Sequence, residues 1–420
     1  MKSLLGAFLA ILGCCMATTA QQPAVSTPTA VTPSTISAGQ AEAVRDDNAF
    51  AIDLYHRLGA QPGNLFFSPA SISTAFAMAY AGARGETASE MARVLHYTLP
   101  PEQLHPAMGA LAAAMNGPHA GYELHSANAL WAQKDLSLLP DYLQLTQTDY
   151  AAGLRRADFR HAPEPARLAI NDWVAQQTNN KIVSLLAPGT VKPDTRLILT
   201  NAIYFKGAWE AAFETSATRA QDFHLTAAQS VPAPFMHRTG GYRYYQGDAF
   251  QALELPYQGG DLAMLILLPN KIDGLPALED DLTPATIDLC LKQLQFAMRV
   301  NLSLPRFTVT QQFELSQTLA AMGMPRAFGN EADFSGMAGQ PDIRISAAIH
   351  KAFVDVNETG TEAAAATAIG FRATAVRIAP PPIPFTADHP FLFLIYDKKS
   401  ESILFLGRVA DPASGEKAVL

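Results

Sequence analysis

The sequence predicts an α+β fold, in which long helices come early in the chain and most strands come later. Apolar residues recur at helical spacing over residues 48–58, 71–95 and 172–186, and the second run is interrupted near residues 82–86. These segments predict amphipathic helices whose apolar faces pack on a common core.

Strand patterns dominate after residue 195. Strand-like runs bounded by turn residues predict strands over residues 196–205, 252–255, 262–268 and 299–309. The apolar runs 392–396 and 402–409 flank a polar turn, which predicts a buried hairpin near the end of the chain. Helices first and strands later indicate α+β rather than an alternating α/β arrangement.

The composition fits one large acidic domain. The chain has 420 residues and a net charge of −8, and 16% of its residues are charged, below the roughly 25% usual in soluble domains. No lysine or arginine run is present in the sequence, which argues against nucleic-acid partners. Residues 21–44 are rich in Pro, Thr and Ser and predict a flexible linker, and no second linker follows. The domain is therefore predicted to span residues 45–412.

The first 20 residues are typical of an export signal. Lys2 precedes an apolar run over residues 4–16, too short to span a bilayer, and small residues at 17–20 offer a cleavage site before Gln21. A second interpretation is a bacterial lipoprotein signal that ends before Cys14, because residues 11–14 read Ile-Leu-Gly-Cys. A third is that Cys14 is an ordinary apolar residue of the signal. Both export routes predict an extracytoplasmic protein, attached to a membrane only if Cys14 carries a lipid.

Beyond the signal the sequence holds one cysteine, Cys290. One cysteine cannot form an internal disulfide, so the core alone must stabilise the exported chain. Cys290 lies in a helical pattern, and we expect it to be a small buried apolar residue rather than a reactive thiol.

The sequence carries no motif that predicts catalysis or cofactor binding. It has no Gly-x-Ser-x-Gly nucleophile elbow, no Gly-rich phosphate loop, and no His-x-x-x-His or His-x-His metal spacing. Asp388 and His389 are adjacent, but adjacency in sequence does not make a catalytic dyad. We therefore predict no catalytic residue, no metal ligand and no cofactor, although triads assembled in space escape this test.

Residues 357–384 are unusual, because small residues dominate a segment that ends in a proline-rich stretch. One interpretation is a short alanine-rich helix over residues 361–368, capped by Thr361. The other is a mobile loop that turns into a strand, because Gly360 supplies a hinge. Small side chains at Thr361, Ala363, Ala365 and Thr367 then share one strand face. A strand that must enter an existing sheet is expected to carry such a face.

This segment resembles the hinge and reactive loop of the serpin family, and other blocks match that family in order. The matching blocks begin at Asn64 (Asn-Leu-Phe-Phe-Ser-Pro), Thr200 (Thr-Asn-Ala-Ile-Tyr-Phe-Lys-Gly-Ala-Trp), Ala332 (Ala-Asp-Phe-Ser-Gly-Met) and Phe385 (Phe-Thr-Ala-Asp-His-Pro-Phe). The resemblance spans about residues 46–412. It implies a serpin fold with about nine helices on three β-sheets, a large central sheet A and an exposed reactive loop over residues 358–384.

The resemblance also implies a function, namely suicide inhibition of serine or cysteine endopeptidases. In serpins the protease cleaves the loop, and the loop then inserts as a new strand of sheet A. The implied hinge comprises Glu358, Gly360, Thr361, Glu362, Ala363, Ala364, Ala365 and Ala366. The implied polar clusters at the sheet opening are a breach of Trp209, Arg306 and Glu358 and a shutter of Ser68, Ser71, Asn201 and His350.

The reactive bond is less closely defined. Family spacing places the bait residue seventeenth from Glu358, which implies the bond between Thr374 and Ala375 and an elastase-type protease. Arg372 and Arg377 are the alternatives and suit a trypsin-like enzyme, and a subtilisin-like target also stays open. The region between the hinge and Pro390 is about five residues longer than in a typical animal serpin, so the register stays open.

Two further expectations complete the sequence analysis. The alternative function is a non-inhibitory serpin that acts as a carrier, chaperone or storage protein, and an enzyme on an unrelated fold is the third class. Asn357-Glu358-Thr359 is a glycosylation sequon inside the hinge, where a glycan would obstruct insertion. With the Cys14 motif this favours a bacterial exported protein, which we expect to be a monomer.

Overall fold

A computed structural model of the protein describes residues 36–151, 153–340, 343–361 and 381–415. Ten α-helices lie within these ranges. They are Ala38–Gly59 (α1), Pro69–Tyr80 (α2), Gly85–Val94 (α3), Pro101–Asn116 (α4), Pro140–Asp149 (α5), Pro163–Gln177 (α6), Leu275–Asp280 (α7), Pro284–Gln293 (α8), Leu315–Met322 (α9) and Ser335–Ala338 (α10).

Fifteen strands accompany them in the same part of the chain. They are Leu65–Phe67 (β1), Tyr122–Gln133 (β2), Leu154–Ala157 (β3), Leu197–Ala208 (β4), Arg219–Thr226 (β5), Gln229–Gln246 (β6), Phe250–Pro256 (β7), Leu262–Pro269 (β8), Gln295–Pro305 (β9), Phe307–Glu314 (β10), Ile345–Asn357 (β11), Gly360–Thr361 (β12), Ile383–Thr386 (β13), Phe391–Asp397 (β14) and Ile403–Val409 (β15).

The strands form two hydrogen-bonded sheets among the described residues, where three sheets were expected. The nine-stranded sheet follows the order β1-β15-β14-β8-β7-β6-β9-β13, with β5 paired to β6. The 18-residue strand β6 pairs with β5, β7 and β9 along its length, and it thereby joins what would otherwise be two sheets. The six-stranded sheet follows the order β10-β11-β12-β4-β2-β3.

The first helix begins earlier than the predicted domain boundary at residue 45. Ser37 caps α1 in a capping box, in which Gln40 N–H donates to Ser37 Oγ and Ser37 N–H donates to Gln40 Oε1. Ala43 and Val44 are buried in the core. The linker prediction for residues 38–44 was therefore wrong. This alanine-rich stretch is helical because Ser37 caps it and because Ala43 and Val44 pack in the core.

One predicted helix and one predicted strand end at other residues than expected. The helix predicted over residues 172–186 stops at Gln177. Beyond it the amides of Leu185 and Leu186 donate to the side chain of Asn171, at 3.1 and 2.8 Å, so the chain turns back along α6. The strand predicted over residues 299–309 is divided between β9 and β10 at Arg306, whose amide donates to the carbonyl of Pro234.

The helices cover both sides of the six-stranded sheet. Helix α2 and its neighbours pack in the main core beneath it, and α6 covers the opposite face through Ile170 and Val174. Cys290 is buried as expected, and burial raises the pKa of its thiol to about 12. None of the helices that the structure describes is long and apolar enough to cross a membrane.

Candidate functional site

The six-stranded sheet contains a local opening between β4 and β11. Over most of their length these strands pair in parallel, from Ile345 opposite Leu197 to Phe353 opposite Tyr204. Beyond Phe353 they separate, and β12 lies between them with antiparallel ladders to both. The chain therefore enters the sheet at its upper end, and among the described residues Gly360 and Thr361 are already inserted.

Gly360 is required at this point because the backbones approach closely. A Cβ atom at this position would lie 2.0 Å from the carbonyl oxygen of Gly207, far inside van der Waals contact. Thr361 follows and is fully buried. Its hydroxyl forms a 2.7 Å hydrogen bond with the hydroxyl of Tyr257, which is also buried. The first inserted side chain is thus satisfied inside the sheet.

The root of this strand is held by an ion pair. Arg306 Nε donates to Glu358 Oε1 at 2.7 Å, and the hydroxyl of Thr218 donates to the same oxygen. Only 6% of the Glu358 side chain is exposed, against 40% for Arg306. Burial raises the pKa of the Glu358 carboxyl, but the hydrogen bonds from Arg306 and Thr218 outweigh burial and lower it overall. Glu358 is therefore held as a carboxylate.

Trp209 fastens the backbone of the same turn. Its indole Nε1–H donates to the carbonyl of Asn357 at 2.9 Å, and its amide donates to the carbonyl of Thr359 at 3.0 Å. The indole stacks on Tyr257 with ring centroids 4.6 Å apart. The three predicted breach residues, Trp209, Arg306 and Glu358, therefore lie together at the upper end of the opening.

The four predicted shutter residues meet lower down, where β4 and β11 still pair. His350 Nδ1–H donates to Asn201 Oδ1, and Asn201 Nδ2 donates to Ser71 Oγ at 2.8 Å. Ser68 joins them through its amide, which donates to His350 Nε2 at 3.2 Å. All four side chains are buried, so the network lies beneath the two paired strands and connects them to α2.

This network defines the state of the histidine. The amide of Ser68 can only donate, so His350 Nε2 must be unprotonated and the proton lies on Nδ1. Burial lowers the pKa of His350 to about 3. The imidazole is therefore neutral at physiological pH, and protonation would break the bond from Ser68.

Sequence reasoning missed three residues of the site. Tyr257 and Thr218 bind the hinge, and Asn128 accepts a hydrogen bond from Ser71 Oγ at 3.0 Å. Only Asn128 had a usable signal, because Ser126 and Asn128 interrupt the otherwise apolar face of β2. Tyr257 and Thr218 lie far from the hinge in sequence and match no local pattern.

Several predicted site residues lie outside the described residues. They are Cys14, Glu362, Ala363, Ala364, Ala365, Ala366, Arg372, Thr374, Ala375 and Arg377. Within the described part, no group of three His, Cys, Asp or Glu side chains is arranged to hold a metal ion.

Comparison with known proteins gives consistent matches along the chain. The family model described as Serpin (serine protease inhibitor) matches residues 45–412. Human leukocyte elastase inhibitor is 44% identical over 86% of this chain and 97% of its own. An uncharacterised serpin-like protein of Thermococcus kodakarensis is 41% identical over 88% of this chain and 85% of its own. The crystal structure of human thyroxine-binding globulin superposes with a TM-score of 0.80 at 30% identity, over 89% of this chain and all of that one.

Proposed function

The chain belongs to the serpin family, and from that premise we propose that it inhibits a serine endopeptidase by inserting its cleaved reactive loop into the six-stranded sheet. The observation that carries the proposal is β12. Gly360 and Thr361 already lie between β4 and β11, with ladders to both strands. A loop that begins inside the sheet needs only to continue along the same path.

The energetics of this path are favourable. A strand inserted between β4 and β11 replaces one ladder of hydrogen bonds by two. About a dozen inserted residues add ten or more net backbone hydrogen bonds at roughly 1 kcal/mol each. The free energy of unfolding of a protease is about 5–15 kcal/mol. The free energy gained by insertion is therefore comparable to the stability of the protease. Insertion that pulls an attached protease along can therefore distort the active site of that protease.

The alanines of the hinge suit this movement. Positions 363–366 are all alanine, so they pass between packed strands without bulky side chains. A carrier or storage member has no need for such a hinge. This composition favours inhibition over the non-inhibitory alternative.

The target we propose is an elastase-type serine protease. The similarity to leukocyte elastase inhibitors supports this class, and so do the small residues around Thr374 and Ala375. Cleavage after Arg372 or Arg377 by a trypsin-like protease is the alternative, and a subtilisin-like target also fits the small residues.

The test is to mix the protein with elastase-, trypsin- and subtilisin-type proteases and to separate the products on denaturing gels. We expect a covalent complex with at least one protease and loss of its activity. Mass spectrometry of the peptide released from the loop then identifies the cleaved bond. Cleavage by every protease, with no complex and no loss of protease activity, contradicts the proposal.

A carrier function is the second candidate, because the fold matches a globulin that was crystallised with thyroxine. Such a protein would bind a small apolar ligand and be cleaved as an ordinary substrate. The same gels separate the two functions.

We also propose that the protein is an exported monomer of bacterial origin, which rests on residues 1–20 and on the sequon at Asn357. Intact-mass measurement of the protein from its natural source tests this. A chain starting at Gln21 supports ordinary secretion, and a lipidated Cys14 supports an anchored protein. A glycan on Asn357 contradicts the bacterial origin.

A further inference from the structure

A buried carboxyl group lies between the first two helices, outside the site described above. Asp47 belongs to α1, and only 4% of its surface is exposed. Its Oδ1 atom has neither contact with solvent nor a hydrogen-bond partner among the described residues. An ionised carboxylate in this position would leave a charged oxygen unsatisfied, which is costly in a buried environment. The burial of Asp47 therefore favours a protonated carboxylic acid.

The hydrogen bonds around Asp47 indicate the same state. Its side chain is hydrogen-bonded to the side chain of Ser73 on α2. The hydroxyl of Tyr97 donates its proton to the carbonyl of Ser73 at 2.7 Å, so it can only accept from Ser73 Oγ, at 3.4 Å. Because Ser73 Oγ directs its one proton at Tyr97, it acts as an acceptor toward Asp47. The carboxyl of Asp47 is then the donor, which requires that it carries a proton.

No positive charge compensates Asp47. The charge that acts on it is that of the neighbouring Asp46, which is negative. Burial raises the pKa of the Asp47 carboxyl to about 7, and Asp46 adds to the rise, while the bond to Ser73 opposes it. The titratable side chains that surround the two aspartates on α1 and on the elements packed against it are Glu42, Tyr80, His96, Tyr97 and His105.

The two histidines of this group do not change that result. His96 is bonded to Asp53 at 2.7 Å and acts on Asp46 rather than on Asp47. Burial lowers the pKa of His105 to about 4, so it is neutral at physiological pH. Ionised Asp47 would therefore be a buried charge without a counter-charge in the part of the chain that the structure describes.

The contact with Ser73 connects Asp47 to the helix that carries two shutter residues. Ser68 caps α2, and Ser71 lies in its first turn, two residues before Ser73. Ionised Asp47 would draw the Ser73 hydroxyl away from Tyr97 and would place an unpaired charge against α2. The contact between α1 and α2 would then weaken close to the shutter.

We propose that Asp47 is a proton switch, which holds α2 against α1 while it is protonated and loosens this contact when the proton is lost as pH rises. The switch acts in the opposite sense to His350, whose network is broken by protonation. The proposal does not depend on the inhibitory function, because its test needs no protease.

The first test measures thermal midpoints of the full-length protein from pH 4 to pH 8. Asp47→Asn mimics the protonated acid, because its amide donates and accepts without a charge. Since the pKa of Asp47 is raised from 3.8 to about 7, its contribution to stability is full below about pH 3.8 and is lost as pH rises through 7. Asp47→Asn should melt about 5 °C higher than the wild type at pH 8. The difference should shrink toward zero at pH 4. Asp172→Asn, exposed on α6, is the control and should shift the midpoint by less than about 1 °C.

The second test detects the proton without reference to stability. The infrared difference between the wild type and Asp47→Asn should contain the carbonyl stretch of a protonated carboxylic acid at pH 5.5 and lose it at pH 9. Hydrogen exchange then tests the effect on α2. At pH 8 the amides of residues 70–73 should exchange roughly threefold faster in the wild type than in Asp47→Asn, and at pH 5 the two proteins should be equal.

Three results would each overturn the proposal. The first is the absence of the carboxylic acid band at pH 5.5. The second is a difference in thermal midpoint that is the same at pH 4 and pH 8. The third is equal exchange of the two proteins at pH 8, because α2 is then not loosened by the charge.

Discussion

The upper and lower ends of the β4–β11 interface are held in different ways. At the upper end β12 separates the strands, and the contacts come from an ion pair between Arg306 and Glu358 and from hydrogen bonds of Trp209 to the backbone. At the lower end the strands pair directly, and a neutral, buried histidine network connects them to α2. The upper end is open around β12, and the lower end is closed.

This difference indicates a direction for opening. The upper contacts hold the root of the hinge while leaving the strands apart. The lower contacts hold the strands together, and His350 faces Asn201 directly across the ladder. Insertion can therefore begin at Thr361 without new separation, but it must break the Asn201–His350 contact to proceed. The two ends should respond differently to mutation, and four predictions test that.

The largest effect is expected at Thr361, which is fully buried between the strands. Thr361→Arg places a long charged side chain where no space or partner exists, so the hinge cannot enter the sheet. Inhibition should fall at least 100-fold, and the protein should be cleaved as a substrate on denaturing gels. Thr361→Ser keeps the hydroxyl that binds Tyr257 and is the control. Undiminished complex formation by the arginine variant contradicts the insertion mechanism.

The next effect is expected at His350. Its pKa is about 3 when folded, against an ordinary 6.5, so the unfolded state binds more protons between these values. The contribution of His350 to stability is full above about pH 6.5 and is lost as pH falls toward 3, by up to about 5 kcal/mol. His350→Gln should lower the thermal midpoint at pH 7.5, because a buried hydrogen bond is lost. It should also flatten the decline of the midpoint with falling pH.

The exposed His161 provides the control for that experiment, because 65% of its side chain is exposed. His161→Gln should reproduce the wild-type decline from pH 7 to pH 4. An equal decline in the His350→Gln variant would show that other groups govern acid sensitivity.

A third prediction concerns the loop residue that would reach the shutter when the loop inserts. In β12, Thr361 faces Gly207 on β4 and Val356 on β11. The same antiparallel register, continued for six residues, places Thr367 opposite both Asn201 and His350. In the inserted form Thr367 can therefore bond to the pair that it separates. Thr367→Val should lower the thermal midpoint of the cleaved protein by an amount equivalent to about 1 kcal/mol and leave the uncleaved midpoint unchanged.

Ala368→Ser changes the neighbouring residue, which in an inserted strand of this register would face the opposite side, and serves as the control. An equal loss in both cleaved variants would mean that the register shifts below Thr361.

The smallest effect is expected at the ion pair. Glu358→Gln removes a charge whose partner is 40% exposed, so the loss should be about 1 kcal/mol or less. Because the pKa of Glu358 is lowered from 4.5, its contribution is present above pH 4.5 and is lost as pH falls below it. The thermal midpoint at pH 7 should drop by a few degrees, and the difference should shrink in 1 M salt. Glu42→Gln is the control, because Glu42 pairs with the exposed Arg45 on the surface. It should leave the thermal midpoint almost unchanged.

Local pattern predicted much of the fold. The interruption near residues 82–86 falls between α2 and α3, and the predicted hairpin is β14 and β15. These features depend on periodicity and turn residues within a short window. Errors occurred where distant contacts decide the end of an element, as at Gln177, where Asn171 binds the amides of Leu185 and Leu186.

By itself the sequence determined the family, the small-residue hinge and the identity of the breach and shutter side chains, because each depends on residue type at a given position. The tertiary structure alone decided what those side chains bind. Ser68 and His350 are 282 residues apart in the sequence, and Tyr257 and Thr361 are 104 residues apart. No local pattern encodes such a partner, because the contact exists only after β4, β11 and α2 have packed. The place where the hinge enters the sheet is likewise set by where β4 and β11 separate.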